Sequence, residues 1–460
     1  MKRTKIVCTI SDIRCDVEFI RDLYERGLNV VRMNTAHATD EGIRTLIANV
    51  RSVSESIPLL IDTKGPEIRT TKLSTPEGTR ISFCPGDRVT FVGDPDRATT
   101  HECIAVNYKD FCKDVPVGAT VLIDDGEIEF KIDGKEGDIL HATVQNHGEL
   151  AQRKSVNVPG VSIKLPSLTE KDKHNIQLAI EQKIDFIAHS FVRSKQDVLD
   201  IQEILDVAYG VMVARGDLGI EVHQEKIPGI QRMLVRKCMT RNKPVIVATQ
   251  MLHTMIKNPR PTRAEISDIA NAVFLQTDAV MLSGETAYGA YPREAVETMA
   301  SVCREAEANI AAEEYHMPNF FAKVSPSVSC YLCKHAAISQ ESLGVKAIIT
   351  DNLNGATSRI MSSYRAKAPV FAFCSSMETM RSLALSYGVY PMYVRCQSNN
   401  VREFLFTGLK QLTEENHLDE KDLVAYVGGS DDESGASFLE INPINRILEV
   451  RDAYIVPNMD

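Results

Sequence analysis

Arginines, lysines, carboxylates and hydroxyls recur in this sequence directly behind short apolar runs. Asn29–Met33 delivers Arg32, Asn34 and His37, and Pro58–Asp62 delivers Asp62, Thr63, Lys64, Glu67 and Arg69. Asp185–Phe191 offers Ser190 and Arg193, and Gly210–Arg215 ends in Arg215, Gly216 and Asp217. Pro244–Thr249 presents Thr249 and Gln250, and Ala279–Ser283 presents Ser283, Glu285 and Thr286. One such residue behind a strand is ordinarily the cap of the next helix. Recurrence at strand after strand points to one shared site instead. Arginine forks phosphate and carboxylate oxygens, while carboxylate, amide and hydroxyl oxygens hold hard cations. The mixture suits a phosphorylated acid bound together with metal ions, and hence phosphoryl or enolate chemistry as a class.

The elements that must position these residues are short strands and amphipathic helices in alternation. With Ile6–Ile10 added, seven apolar runs read as buried parallel strands. Helix-period segments separate most of them: Asp16–Arg26, Asp40–Val53, Lys171–Gln182, Lys195–Ala208, Gln231–Thr240, Arg263–Leu275 and Pro292–Ala308. Such alternation builds βα units, and the leading architecture is a (β/α)8-type barrel with its active site at the C-terminal strand ends. Only seven barrel strands are legible, one short of a closed barrel of this kind.

Residues 70–155 break the rhythm. Strand-like runs at Arg80–Phe83, Arg88–Val92, Thr120–Ile123, Ile128–Ile132 and Ile139–Val144, punctuated by Pro85-Gly86 and Asp125-Gly126, predict an inserted all-β domain. The expected divisions are 1–69 with 156–316 for the barrel, 70–155 for the insertion and 317–460 for a C-terminal open α/β domain. That last domain rests on strands at Lys346–Thr350, Pro369–Phe373, Pro391–Cys396 and Leu423–Gly428, with a linker at His316-Met-Pro-Asn.

Composition narrows the classes. The chain has 460 residues, 43% of them hydrophobic and 25% charged, as in ordinary globular proteins. A net charge of −10 argues against a nucleic-acid binder, so anionic ligands must be held by local cationic pockets. Eleven cysteines without framework spacing suggest reduced thiols and a cytoplasmic location. Cys330 and Cys333 form a C-x-x-C inside a helical pattern with no second ligand pair, which reads as packing. The start of the chain lacks the apolar core of a signal peptide, and no stretch is apolar for long enough to suggest a membrane span.

Read together, Arg32-Met-Asn34, Asp62-Thr-Lys-Gly-Pro-Glu-Ile-Arg69, Arg215-Gly-Asp217-Leu-Gly, Ala248-Thr-Gln-Met251, Pro259-Arg-Pro-Thr-Arg-Ala-Glu265 and Met281-Leu-Ser-Gly-Glu-Thr-Ala287 resemble the pyruvate kinase family over nearly the whole chain. The resemblance implies phosphoryl transfer from phosphoenolpyruvate to ADP, giving pyruvate and ATP, with Mg2+ or Mn2+ and K+. It implies that Arg32 meets the transferring phosphoryl group, that Asp217 binds the divalent ion, and that Thr249 covers the enolate face where the proton arrives. Glu265, Ser283 and Glu285 would support proton delivery, and backbone amides of Arg215-Gly216-Asp217 would take the substrate carboxylate. Asn34, His37 and Arg69 fall to the nucleotide side, and Asn34, Asp62 and Thr63 to the potassium site, with Glu67 as in potassium-dependent forms. A homotetramer and a sugar-phosphate or nucleotide effector near Thr350–Ser358 belong to the same expectation.

The resemblance fails in one place. Between Phe191 and Gly210 the family has a helix, a fifth strand ending in Lys-Ile-Glu, and another helix, whereas Lys195–Ala208 reads here as a single helix. The family's catalytic lysine and second metal-binding glutamate therefore have no counterpart. Lys183-Ile184-Asp185 is similar only in letters, since it precedes a strand and lies at the wrong end of the barrel. Ala36 stands where the family commonly has Ser, and His223 where it usually has Pro. Besides an active phosphotransferase, the sequence thus leaves open a catalytically impaired homologue that binds ligands or assembles with active subunits, and an enzyme confined to metal-assisted enolate chemistry on pyruvate or oxaloacetate.

Overall fold

The computed structural model describes residues 1–453 apart from 37, 66, 77, 125, 162, 166–167, 190–207, 313–326, 352–353, 397–400 and 430–434. The expected strands form at β1 (Lys5–Thr9), β2 (Val30–Asn34), β3 (Leu59–Asp62), β4 (Phe186–Ala188), β5 (Val211–Ala214), β6 (Val245–Ala248) and β7 (Ala279–Leu282). They lie side by side in the order β4-β3-β2-β1-β7-β6-β5, all parallel. Alternation along each strand separates two cores. Val7, Val30, Leu60, Ile246 and Met281 fill the barrel interior, while Cys8, Val31, Leu59, Val247 and Leu282 pack outward against helices.

The helices are α1 (Val17–Arg26), α2 (Asp40–Val53), α3 (Glu170–Glu181), α4 (Arg215–Glu221), α5 (Ile227–Thr240), α6 (Arg263–Phe274) and α7 (Pro292–Ala312). Local chemistry sets their ends. The Asp16 carboxylate accepts the Phe19 amide at the start of α1, and Gly27, at φ 122°, closes it. Capping boxes of Thr169 with Asp172 and of Thr262 with Glu265 open α3 and α6. The expected helix over 195–208, but for its last residue, and the 316–319 linker lie outside the described residues.

Among the described residues the wall has seven strands, and β4 and β5 end it unpaired on their outer sides. Exposure confirms the edges: β1, β3, β6 and β7 are buried throughout, but β5 is mostly half-buried and Ile187 in β4 is 42% exposed. The barrel is nearly closed at its N-terminal rim, where the rings of Phe186 and Tyr209 meet at 5.4 Å. The C-terminal unit braces the same rim. Arg381 Nε donates to Asp185 Oδ1 at 2.6 Å, the Tyr209 hydroxyl donates to the Ser382 carbonyl, and Leu385 joins the interior core.

The insertion carries a two-stranded and a six-stranded sheet around Phe83, Phe91, Phe111 and Phe130, with edge-to-face ring pairs at 5.6 and 5.2 Å. Its core also takes Ile68, Val156 and Val158, and Val156–Asn157 pairs with Thr120–Ile123. The packed unit thus reaches past the expected limits of 70 and 155, because turn residues mark where strands stop and not where packing does.

The C-terminal unit is a five-stranded sheet of β8 (Ala347–Asp351), β9 (Val370–Cys374), β10 (Val389–Tyr393), β11 (Leu423–Gly429) and β12 (Ala436–Pro443), ordered β10-β9-β8-β11-β12. Two expectations shift. β10 begins before Pro391, which is tolerated within an edge strand. β12, antiparallel to β11, was not expected, because its half-exposed residues do not form an apolar run.

Candidate active site

Arg32 stands at the C-terminal end of β2 on the face that Val30 turns into the barrel, and its neighbours in register are Thr9 and Leu60. It is 9% exposed. Its guanidinium donates to Asp62 Oδ2 from Nε at 2.9 Å and from Nη2 at 2.7 Å, and to Thr9 Oγ1 from Nη1 at 2.8 Å. Asp62 and Thr9 therefore fix the fork in one orientation at the barrel mouth.

Asn34 and Asp62 are register partners across β2 and β3, and Thr63 follows on the same strand end. Asn34 is exposed and its Oδ1 accepts the Ala36 amide at 3.0 Å. The Asp62 carbonyl accepts from Thr35, N at 3.1 Å and Oγ1 at 2.9 Å, while Thr63 donates from both N and Oγ1 to the Ala188 carbonyl. Glu67 gathers two cations, Lys64 Nζ at 3.3 Å and Arg69 Nε at 2.8 Å, and Arg69 also donates to the Arg153 carbonyl of the returning chain. The sequence-predicted His37, Ser190 and Arg193 lie outside the described residues.

The other half of the mouth is built on strained backbone. Thr249 has φ 65° and Gln250 φ 54°, and a β-branched residue in the left-handed region persists only where its surroundings impose it. Arg215 imposes it. Its Nη1 grips both oxygens of Asp268 at 2.7 and 2.6 Å, and its Nη2 donates to the Thr249 carbonyl at 2.7 Å. The Arg215 side chain is thereby spent on the Thr249 turn and does not present charge to the mouth. The Gly216 amide donates to Thr249 Oγ1 at 2.8 Å.

Both predicted glutamates face backbone. Glu285, 2% exposed, accepts the Leu252 amide at 3.1 Å and the Ser283 amide at 2.8 Å, tying the loop after β6 to the loop after β7. Glu265 accepts from N and Oγ1 of both Thr254 and Thr262. Burial pushes its carboxyl up, but those donors outweigh it and hold the group below the usual range. Ser283 Oγ is buried without a hydrogen-bond partner. Asp217 is exposed, and no three His, Cys, Asp or Glu side chains converge around a cation-sized space among the described residues.

Three holding residues escaped the sequence reading: Thr9, Asp172 and Asp268. Only Asp172 carried a signal, the Thr169-x-x-Asp172 spacing of a capping box.

Comparison with known proteins accords with this geometry. The model of the pyruvate kinase barrel domain matches residues 1–208 and 196–296, and that of the pyruvate kinase alpha/beta domain matches 331–441. A pyruvate kinase of Borreliella burgdorferi is 44% identical, covering 98% of this chain and 99% of that protein. The chain belongs to the pyruvate kinase family. A relative from Clostridium acetobutylicum is 37% identical over 93% of this chain and 96% of its own length. The crystal structure of a Cryptosporidium parvum pyruvate kinase superimposes with a TM-score of 0.88 at 32% identity, covering 96% of both chains. The Borreliella alignment runs over 481 positions, more than the 460 residues present, so the relative carries residues without a counterpart. The two barrel matches overlap at 196–208, between β4 and β5.

Proposed function

We propose that the chain does the family's reaction, transfer of a phosphoryl group from phosphoenolpyruvate to ADP, at the C-terminal end of its barrel. The observation that carries this reading is the opposition of two held groups at one mouth: Arg32, fixed on Asp62 and Thr9, and the strained Thr249 turn, fixed by Arg215. Arg32 would fork the phosphoryl oxygens, and Thr249 Oγ1, with the unpartnered Ser283 Oγ at the end of the neighbouring strand, would carry the proton to the enolate face. Asn34 and Arg69 would meet the nucleotide, and the inserted β unit would close over it.

The oxygens of Asn34, Asp62 and Thr63 on neighbouring strand ends suit a monovalent cation, and potassium bound there would offset phosphate charge. The divalent ion fits less well. Asp217 is the one family carboxylate that the resemblance supplies, no acidic cage forms among the described residues, and no step is assigned to such an ion. Cytoplasmic location, a homotetramer and control at Thr350–Ser358 by a phosphorylated or nucleotide effector complete the proposal. Free thiols at all eleven cysteines and the absence, among the described residues, of any helix fit to cross a membrane are compatible with it.

A second reading is favoured by the edges of β4 and β5, unpaired among the described residues: a homologue that binds ligands or assembles with active subunits and turns over poorly. Production of pyruvate from phosphoenolpyruvate and ADP, coupled to lactate dehydrogenase, separates the two. Turnover that Arg32→Lys abolishes supports the first, and binding of phosphoenolpyruvate without turnover supports the second.

A further inference from the structure

We infer that Asp172 is the positioning residue of the Asp62–Gly65 loop, holding in place the oxygens proposed above to bind potassium; the inference rests on that potassium reading. Thr63 is the last residue of the loop whose amide finds a backbone acceptor, the Ala188 carbonyl at 3.0 Å. The next two amides, of Lys64 and Gly65, both donate to Asp172 Oδ1, at 3.1 and 3.3 Å. Gly65 has φ 65°, and successive amides around a left-handed residue form a concave nest that fits one anionic oxygen. The second oxygen, Oδ2, faces the other way and accepts Thr169 N at 3.0 Å and Thr169 Oγ1 at 2.6 Å.

One carboxylate, 1% exposed, thus accepts four donors and offers no lone-pair direction to solvent. Burial pushes its pKa up, but the donors from Thr169, Gly65 and Lys64 outweigh burial and hold it below the usual range, so it is ionised near neutrality. Its place in the chain gives the contact its meaning. The polypeptide leaves the barrel for the β insertion just after Gly65 and re-enters it just before Thr169, so Asp172 staples departure to return. The adjacent Lys171 Nζ donates to the Ala36 carbonyl at 3.1 Å, which puts the turn beyond Asn34 under the same helix end. The first turn of α3 therefore holds both chain segments that supply the proposed potassium ligands. An asparagine at 172 would turn an amide N–H toward either the Lys64 and Gly65 amides or the Thr169 amide, all of them donors.

The test is potassium-specific stabilisation of the full chain, read as the apparent Kd from melting temperature against KCl, with choline chloride keeping ionic strength constant. The unaltered chain should show saturable stabilisation, and Asp172→Asn should raise the apparent Kd about tenfold, the size expected for one buried hydrogen-bonding group lost from the site. Thr169→Ala, which removes the helix cap and leaves the nest intact, should lower the melting temperature while keeping the Kd within about twofold. An unchanged Kd in Asp172→Asn overturns the inference. No potassium response in the unaltered chain overturns the potassium reading, and this inference with it. Should Asp172→Asn fail to fold, amide exchange decides: protection of Lys64 and Gly65 in the unaltered chain, strengthened by potassium, supports the staple, and unprotected amides in saturating potassium refute it.

Discussion

Arg365 of the C-terminal unit and Asp278 at the foot of β7 face each other through two bonds, Nη1 to Oδ1 at 3.0 Å and Nη2 to Oδ2 at 2.8 Å, with side chains 2% and 4% exposed. The same carboxylate accepts the Tyr387 amide at 2.9 Å and the Val245 amide at 3.1 Å. One buried anion thus joins barrel strands to the C-terminal unit. Removing it strands a guanidinium and two amides away from water, and breaking a buried pair from one side costs about 3–5 kcal/mol. Asp278→Ala should lose that much stability in urea denaturation, and adding Arg365→Met should restore part of it. A loss below about 1 kcal/mol would show the contact to be incidental.

Lys5 makes the same interface pH-sensitive. It is 4% exposed, its Nζ donates to the Val389 carbonyl at 2.5 Å and lies 4.8 Å from the Tyr390 ring centre, and burial, aided by Lys2, lowers its pKa from 10.5 to about 7 against the pull of Glu307 and Asp278. The folded chain therefore gives up this proton before the unfolded chain does. Between about pH 7 and pH 10 the unfolded state binds more protons, so stability rises with pH there and is flat in this respect below pH 7. From pH 7 to pH 9 the gain is about 2 kcal/mol, and Lys5→Met should remove it. Stability in urea at the two pH values checks this; an equal rise in Lys5→Met would assign the effect to other groups.

Asp217 sits exposed at the start of α4, and no metal-binding acidic cluster forms among the described residues. Manganese affinity at the barrel mouth should fall at least about tenfold in Asp217→Ala, since removing one carboxylate from a site of hard oxygen ligands removes much of what holds the ion. Paramagnetic resonance of free Mn2+ during titration reads this directly. Equal affinity in the variant would place the ion elsewhere.

How much of this was legible in the sequence depends on whether a feature is local. Arg32, Asp62 and Thr249 could be read because β-branched runs of strand length end immediately at them, and parallel strands aim such ends at one face. Their supports could not. Thr9 holds Arg32 only because β1 and β2 are register neighbours, and Asp268 reaches Arg215 across more than fifty residues, separations at which spacing carries no signal. The role of the Arg215 side chain was not legible for the same reason: tertiary packing turns it onto Asp268 and the Thr249 carbonyl. The break in the strand count was legible because a βα unit is long and the pattern stops at a countable place, which falls at residues 190–207, outside the described residues.

Activity turns on that opening. The resemblance puts the family's lysine and its second metal-binding glutamate on a strand between β4 and β5, and the alignment with the Borreliella relative is longer than this chain. A preorganised charge facing the transferring group is worth about 100- to 1000-fold in rate, and by the resemblance two such groups find no matching motif in this sequence. The wall suffers as well. Among the described residues, Ile187 and the half-buried residues of β5 lie at strand edges joined from below by the Phe186–Tyr209 contact and the Arg381–Asp185 and Tyr209–Ser382 bonds, and unpaired edges invite association with other strands. A preparation with an intact mass of 51.1 kDa should therefore turn over at least about 100-fold more slowly than the Borreliella enzyme assayed beside it, and should aggregate more readily. Arg381→Ala, which releases Asp185 from the brace, should worsen aggregation without affecting Arg32. Turnover equal to the relative's at that mass would mean that residues already present at the mouth do the work assigned to the absent lysine.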